Sequence, residues 1–128
     1  MTARDVLFSC IFRKYASGAG RAPRGEFFVY FAFYVLFFTL WSLGILGLVH
    51  LRGGAGLPDL VLSQVPFIFL PPLFAVSVRR LHDSGRSGWF APLLCVPLLN
   101  LFCLALLCLP GTPGPNRYGP PAAPVRPR

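Results

Sequence analysis

Charge is what this sequence has least of. Four Asp and Glu and twelve Lys and Arg are spread over 128 residues, so charged side chains make up 12% of the chain, against about 25% in an ordinary soluble domain. The charges are also segregated, which leaves three long windows with none. A soluble domain of this length cannot bury three such windows and still cover its surface with polar groups. The expected solvent is lipid. Catalytic signatures are missing as well: there is no carboxylate pair, H-E-x-x-H, P-loop or Ser or Cys nucleophile motif. Cys10, Cys95, Cys103 and Cys108 form no C-x-x-C pair and have no His or carboxylate placed to complete a metal site. They are read as small apolar packing residues, with no disulfide framework, metal or cofactor expected.

What is present is grease and positive charge. Hydrophobic residues make up 55% of the chain, and the net charge is +8. In a soluble protein that excess would suggest nucleic acid. In a membrane protein it is the expected result of Lys and Arg retained on the cytoplasmic side, near anionic headgroups. No nucleic-acid partner is expected, and membrane lipids, anionic ones above all, are.

Residues 1–26 form a basic cytoplasmic lead with five Lys and Arg. Its apolar run Val6 to Phe12 is too short to span a bilayer. The long apolar run that follows starts late and lacks a convincing cleavage site, so it reads as a retained anchor and not a signal peptide. The first window, Phe27 to Val49, is long enough to cross a ~30 Å hydrocarbon core, and nine of its first fifteen residues are aromatic. That run reaches too deep to be only an interfacial belt, so part of it must pack against other helices or chains. The second window, Leu60 to Val78, holds Gln64, Pro66, Pro71 and Pro72. Each proline frees the carbonyl four residues earlier, and a kink near Pro71-Pro72 is expected. In lipid the freed carbonyls need partners from neighbouring helices or water. The third window, Phe90 to Leu109, contains Pro92, Pro97 and Asn100, with Ser87 as its N-cap and Pro110-Gly111 as its end. Asn100 is expected to hydrogen-bond another helix or the carbonyl freed by Pro97.

The predicted fold is therefore an all-α membrane protein. A three-helix transmembrane domain covers 27–110, with a polar loop at 79–89 and a Pro/Gly-rich, partly disordered tail at 111–128. Three crossings put the ends on opposite sides. With the N-terminus inside, the cytoplasmic segments carry eight Lys and Arg against four outside, which favours a cytoplasmic N-terminus and an outside C-terminus.

The polar run Arg79 to Phe90, RRLHDSGRSGWF, holds five of the chain's eighteen Arg, Lys, His, Asp and Glu residues. If helix 2 continues through it, Arg79, His82, Asp83 and Arg86 share one helical face. Asp83 would then pair with Arg79 and Arg86 and aim them at an anionic oxygen cluster such as a lipid phosphate. Alternatively, Gly85 and Gly88 end the helix before Arg86. Arg80 belongs to the same candidate lipid- or anion-binding set, and Trp89 would anchor at headgroup level. The plainer reading is a positive loop that sets topology and caps two helices. Upstream, Arg21, Arg24 and Glu26 sit at the membrane edge. Pairing Glu26 with Arg24, or with an Arg of 79–86, would relieve its burial and tie the lead to the loop.

These residues carry a resemblance. GRAPRGEFF before the first span, RRLHDSGRSGWF, and the exit LPGTPGPNRYG resemble the bacterial inner-membrane family called domain of unknown function 805, over roughly residues 8 to 121. Arg79 to Asp83, Gly85 to Trp89, and Pro110, Gly111, Gly114, Asn116, Tyr118 and Gly119 fit its pattern. The resemblance implies a small multi-pass inner-membrane protein with no established activity, cofactor or substrate. Arg21, Arg24, Glu26, Asn100, Asn116 and Tyr118 are assigned structural or assembly roles. Three functions stay open: a structural or interaction protein whose loop contacts anionic lipid or a partner, a homo-oligomeric or partnered transporter or channel subunit, and an enzyme acting on a phosphate-bearing lipid through His82 and Asp83.

Overall fold

A computed structural model describes residues 3–122. Within them the regular structure is helical, and the β-type pairing is limited to one isolated bridge between Asn116 and Gly119. The disorder expected for the last eight residues, 121–128, falls mostly on residues 123–128, which lie outside the described residues.

A short helix, α1 (Ala3–Phe8), continues through a wider π-helical turn at Ser9–Arg13 and buries Val6 and Cys10 completely. The first apolar window has no proline after Pro23, and it forms one unbroken helix, α2 (Arg24–Arg52). Gly53 closes α2 in the left-handed region at φ 76°, which a residue with a Cβ would resist. Its N–H and that of Gly54 turn back onto the His50 and Val49 carbonyls.

The second window is helical in three consecutive pieces: α3 (Leu57–Leu62), a 3₁₀ turn at Val65–Phe69, and α4 (Leu70–Asp83). Pro71 and Pro72 fall in the first turn of α4, where a missing N–H costs nothing. The interruption of α-geometry lies one turn earlier, around Pro66. By length and composition, Arg24–Arg52 and Leu57–Asp83 are both apolar enough to cross a membrane.

The freed carbonyls have identifiable partners. Pro66 leaves the Leu62 carbonyl without its i+4 donor, and the Trp41 indole N–H donates to it at 2.9 Å. Pro72 does the same to Ile68, whose carbonyl accepts the Tyr15 hydroxyl. The Tyr30 hydroxyl donates to Phe69 at 3.0 Å. Phe33 and Phe37 pack edge-on against the Phe69 ring, with centroids 5.9 and 5.0 Å away. Part of the aromatic run in α2 thus supplies polar tips and ring edges to a proline-broken neighbour.

The third window is not one continuous helix, where the sequence suggested a third span. A 3₁₀ segment at Gly88–Cys95 leads away from the loop, the chain reverses at Val96, Pro97 and Leu98, and α5 (Leu99–Cys108) returns. Leu98 takes φ 70°, a strained value for a residue with a Cβ, at the reversal. Cys103 Sγ donates to the Phe90 carbonyl at 3.3 Å and links the two arms. At about 2.0 Å per 3₁₀ residue and 1.5 Å per α residue, the arms are each roughly 15 Å long, half a bilayer core. The window therefore ends at the end of the bundle from which it set out. The C-terminal segment lies beside the N-terminal lead and the 79–89 loop.

Replacing Trp41 with Phe keeps the ring and removes the donor to Leu62, and Tyr30→Phe does the same at Phe69. Each is expected to cost about 1 kcal/mol, read as a drop of several degrees in the unfolding midpoint of the detergent-solubilised protein. Phe38→Leu, at an exposed ring, should leave the midpoint unchanged.

Candidate functional site: a buried charge cluster at one end of the bundle

The loop begins where α4 stops. Gly85 adopts φ 73°, and its N–H donates to the His82 carbonyl at 3.0 Å while that of Arg86 donates to Leu81 at 2.9 Å. This double bond is the Schellman arrangement that ends a helix at a glycine. Arg79, Arg80, His82 and Asp83 are therefore on the helix, and Arg86 is off it and exposed. Ser87 then opens the 3₁₀ segment by accepting the Trp89 N–H.

Arg79 and Arg80 are 1% exposed, so neither reaches the surface. Asp83 pairs with Arg21 at 2.8 Å and with Arg80 one turn before it, not with Arg79 and Arg86 as their spacing suggested. Arg21 spends its whole guanidinium inside the protein. Its Nε donates to Asp83 Oδ1, Nη1 to the Gly114 carbonyl at 2.7 Å, and Nη2 to the Thr112 carbonyl at 2.7 Å and the Asp83 carbonyl at 3.1 Å. Only the planar fork of Arg serves so many directions at once. Arg80 reaches the returning arm: its Nε donates to Leu107 at 3.0 Å and its Nη2 to Leu109. Arg24, exposed, donates to the same Leu109 carbonyl at 3.3 Å.

A second pair lies beside it. Arg79 Nη1 is 2.8 Å from Glu26 Oε1, with 1% and 6% of the two side chains exposed. The N–H directions miss the carboxylate, so this contact is an ion pair and not a hydrogen bond. Cys10 donates to the same Glu26 oxygen at 3.6 Å, and Arg79 Nη2 approaches the sulfur at 3.7 Å. Burial, reinforced by the Glu26 charge and opposed by Arg79, pushes the Cys10 thiol up to about 11, so it stays protonated. The cluster thus holds three guanidiniums and two carboxylates. The excess positive charge faces the carbonyls that end α4 and α5, where the helix dipoles are negative.

The tail completes the cage. Thr112 N–H donates to the Asp83 carbonyl at 2.8 Å, and Asn116 Nδ2 donates to the His82 carbonyl and to Thr112 Oγ1, both at 2.9 Å. Tyr118 lies flat on the His82 ring, with centroids 3.8 Å apart, and Arg117 sits 4.7 Å over the Tyr118 ring. Gly111 passes so close to Asp83 that a Cβ there would run into the carboxylate.

Of the sequence-assigned residues, Arg21, Glu26, Arg79, Arg80, Asp83 and Asn116 meet in this cluster, with His82 and Tyr118 on its flank. Arg86 and Trp89 face outward, Trp89 with 87% of its surface exposed. Asn100 is elsewhere: it lines a 230 Å³ cavity with Tyr34 and Cys95, and its side chain makes no hydrogen bond among the described residues. Cys10, Tyr15 and Thr112 went unrecognised. No local pattern marks them, because each acts on residues far away in the chain.

The sequence model of a family described as "Protein of unknown function (DUF805)" matches residues 15–120. Inner membrane protein YhaH of Escherichia coli (strain K12) is 33% identical over 114 residues, covering 86% of this chain and 90% of that protein. Inner membrane protein YhaI of the same strain is 37% identical over 113 residues, covering 85% and 88%. Uncharacterized protein YiiR, also of that strain, is 34% identical over 101 residues, which is 79% of this chain and 59% of the relative. No solved structure matches the chain.

Arg79→Leu leaves Glu26 buried without its counter-charge and is expected to cost about 3–5 kcal/mol. Adding Glu26→Leu should restore most of that loss, since the desolvated pair is then replaced by apolar volume. A thermal or denaturant double-mutant cycle reads both effects. Arg21→Lys, which keeps the charge and loses the fork, should be nearly as damaging as Arg21→Ala.

Proposed function

Because the chain belongs to the DUF805 family, with inner-membrane proteins among its relatives, we propose that it is a structural or interaction protein of the bacterial inner membrane whose clamped, basic end rests on anionic lipid headgroups. α2 crosses the bilayer, α3 to α4 crosses back, and the third window dips in and returns as a re-entrant hairpin. The described chain ends and the 79–89 loop then share one side. Among the described residues, Arg4, Arg13, Lys14, Arg21, Arg24, Arg79, Arg80, Arg86 and Arg117 lie at that end, against Arg52 alone at the other. The positive-inside rule makes the crowded end cytoplasmic, a stronger charge bias than three crossings would give.

One observation carries the headgroup reading. The buried cluster consumes Arg21, Arg79 and Arg80 internally, yet it holds the loop and tail so that Arg86, Trp89 and Arg117 stand exposed on a fixed frame. Anionic headgroups near such a frame gain about 1 kcal/mol per accessible Arg, and Trp89 adds an interfacial anchor. The buried and flanking residues of the polar motif are thus the clamp, and its exposed members are the contact.

Two measurements test this reading. A C-terminal green fluorescent protein fusion should fluoresce and a C-terminal alkaline phosphatase fusion should be inactive; the reverse pattern would sink the shared-side topology. Native mass spectrometry of the detergent-extracted protein should find retained anionic phospholipid that an Arg86→Ala/Arg117→Ala double variant loses several-fold. Equal retention by both would move the contact to a protein partner, and the same spectra report the oligomeric state.

A further inference from the structure

Beside the clamp is an open groove of about 520 Å³, within the roughly 300–1,000 Å³ common for small-molecule sites. Phe74, Val78, Ala91 and Pro92 form its apolar floor and walls, and Trp89 and Tyr118 stand at its sides. Gly88 lets the 3₁₀ arm approach α4 closely at the groove: a Cβ there would meet Val78 at 2.7 Å and His82 Nε2 at 3.2 Å. His82 turns Nδ1 to the Gly20 carbonyl at 3.3 Å, which leaves Nε2 on the Gly88 side, toward the groove. Ser87 contributes a hydroxyl to the same wall. Adjoining the lining residues are two exposed Arg: Arg86, next to Ser87 in the chain, and Arg117, whose guanidinium sits over the Tyr118 ring.

This composition is graded. An apolar trough runs from α4 and the 3₁₀ arm, neutral hydrogen-bonding groups follow, and positive charge ends it. A molecule that fits has an acyl tail, an ester and glycerol region, and an anionic phosphate, in that order. We propose that the groove is a dedicated site for one anionic phospholipid, with an acyl chain laid against Phe74, Val78 and Pro92 and the phosphate at Arg86 and Arg117. His82 Nε2 and Ser87 Oγ meet the glycerol region. This deepens the headgroup reading above and rests on it. The difference is that a surface attraction needs only the rim charges, whereas a site also needs the trough.

Trp89 reports occupancy directly. Protein in phosphatidylcholine nanodiscs is supplied with a minor fraction of acyl-brominated phosphatidylglycerol, or with the same fraction of acyl-brominated phosphatidylcholine. Trp89 fluorescence is taken as the difference between wild type and Trp89→Phe, which removes the Trp41 background. Brominated phosphatidylglycerol should quench Trp89 at least twofold more than brominated phosphatidylcholine. Arg86→Glu/Arg117→Glu should erase that difference. Pro92→Phe, which fills the trough from an exposed wall, should at least halve the quenching by phosphatidylglycerol. Phe74→Ala, which widens the trough, should maintain or increase it, and so tests the trough even if Pro92→Phe fails to fold. Equal quenching by the two lipids in wild type would mean bulk bilayer contact only and would overturn the site. If the rim variants lose phosphatidylglycerol in native mass spectra while Pro92→Phe leaves quenching intact, the headgroup reading survives and the groove does not. If the rim variants change neither retention nor quenching, both fall.

Discussion

Five ionised side chains with almost no access to solvent meet where the N-terminal lead, the end of α4 and the tail converge. Desolvating a charge costs several kcal/mol even after relaxation, so such a cluster exists only if every member is held by several others. Arg21 meets that requirement by binding a carboxylate and carbonyls from two segments with one planar group. The positions of the lead, the loop and the tail all depend on it. Buried ion pairs are weak evidence of stability in themselves, and their best-attested use is to specify one arrangement. Here the arrangement specified is three polar segments packed into a single cap over an apolar bundle.

The rest of the bundle answers to a second constraint of the same kind. Lipid offers no hydrogen bonds, so each carbonyl orphaned by a proline needs a donor from the protein. Trp41 and Tyr15 supply donors to Leu62 and Ile68, and Tyr30 adds one to the neighbouring Phe69 carbonyl. The prolines of the second window and the aromatics of the first are two halves of one solution. The π-turn after α1 brings Tyr15 within reach, so even the basic lead takes part in satisfying backbone within the span.

The same accounting explains the third window. Pro92 and Pro97 prevent twenty apolar residues from forming one continuous α-helix, and the chain settles for two half-length arms joined by a strained Leu98. The returning arm is secured because its last carbonyls accept Arg80. Folding back lets the basic tail join the basic lead and loop, and so the charge pattern and the packing agree. A groove lined by the outgoing arm and α4 is a direct product of that hairpin.

The sequence by itself determined the class of solvent, because charge-free windows of this length cannot be hidden in water. It also determined the family, because the polar motifs are dense and specifically spaced. The end of α4 was legible in Gly85, and the N-cap in Ser87, since both depend only on local backbone preference. Which way those residues face was not legible. Arg79 and Arg86 differ by two helical turns in spacing, yet one is buried against Glu26 and the other is exposed. For Arg79 the choice is made by Glu26 and Cys10, which lie far away in the chain. Likewise, the length of the third window suited a crossing, and only contacts between distant residues, Cys103 with Phe90 and Arg80 with its far end, bring it back. Local preference can be read residue by residue. Pairing between segments depends on which partners reach the same point in space, and tertiary structure alone decided that.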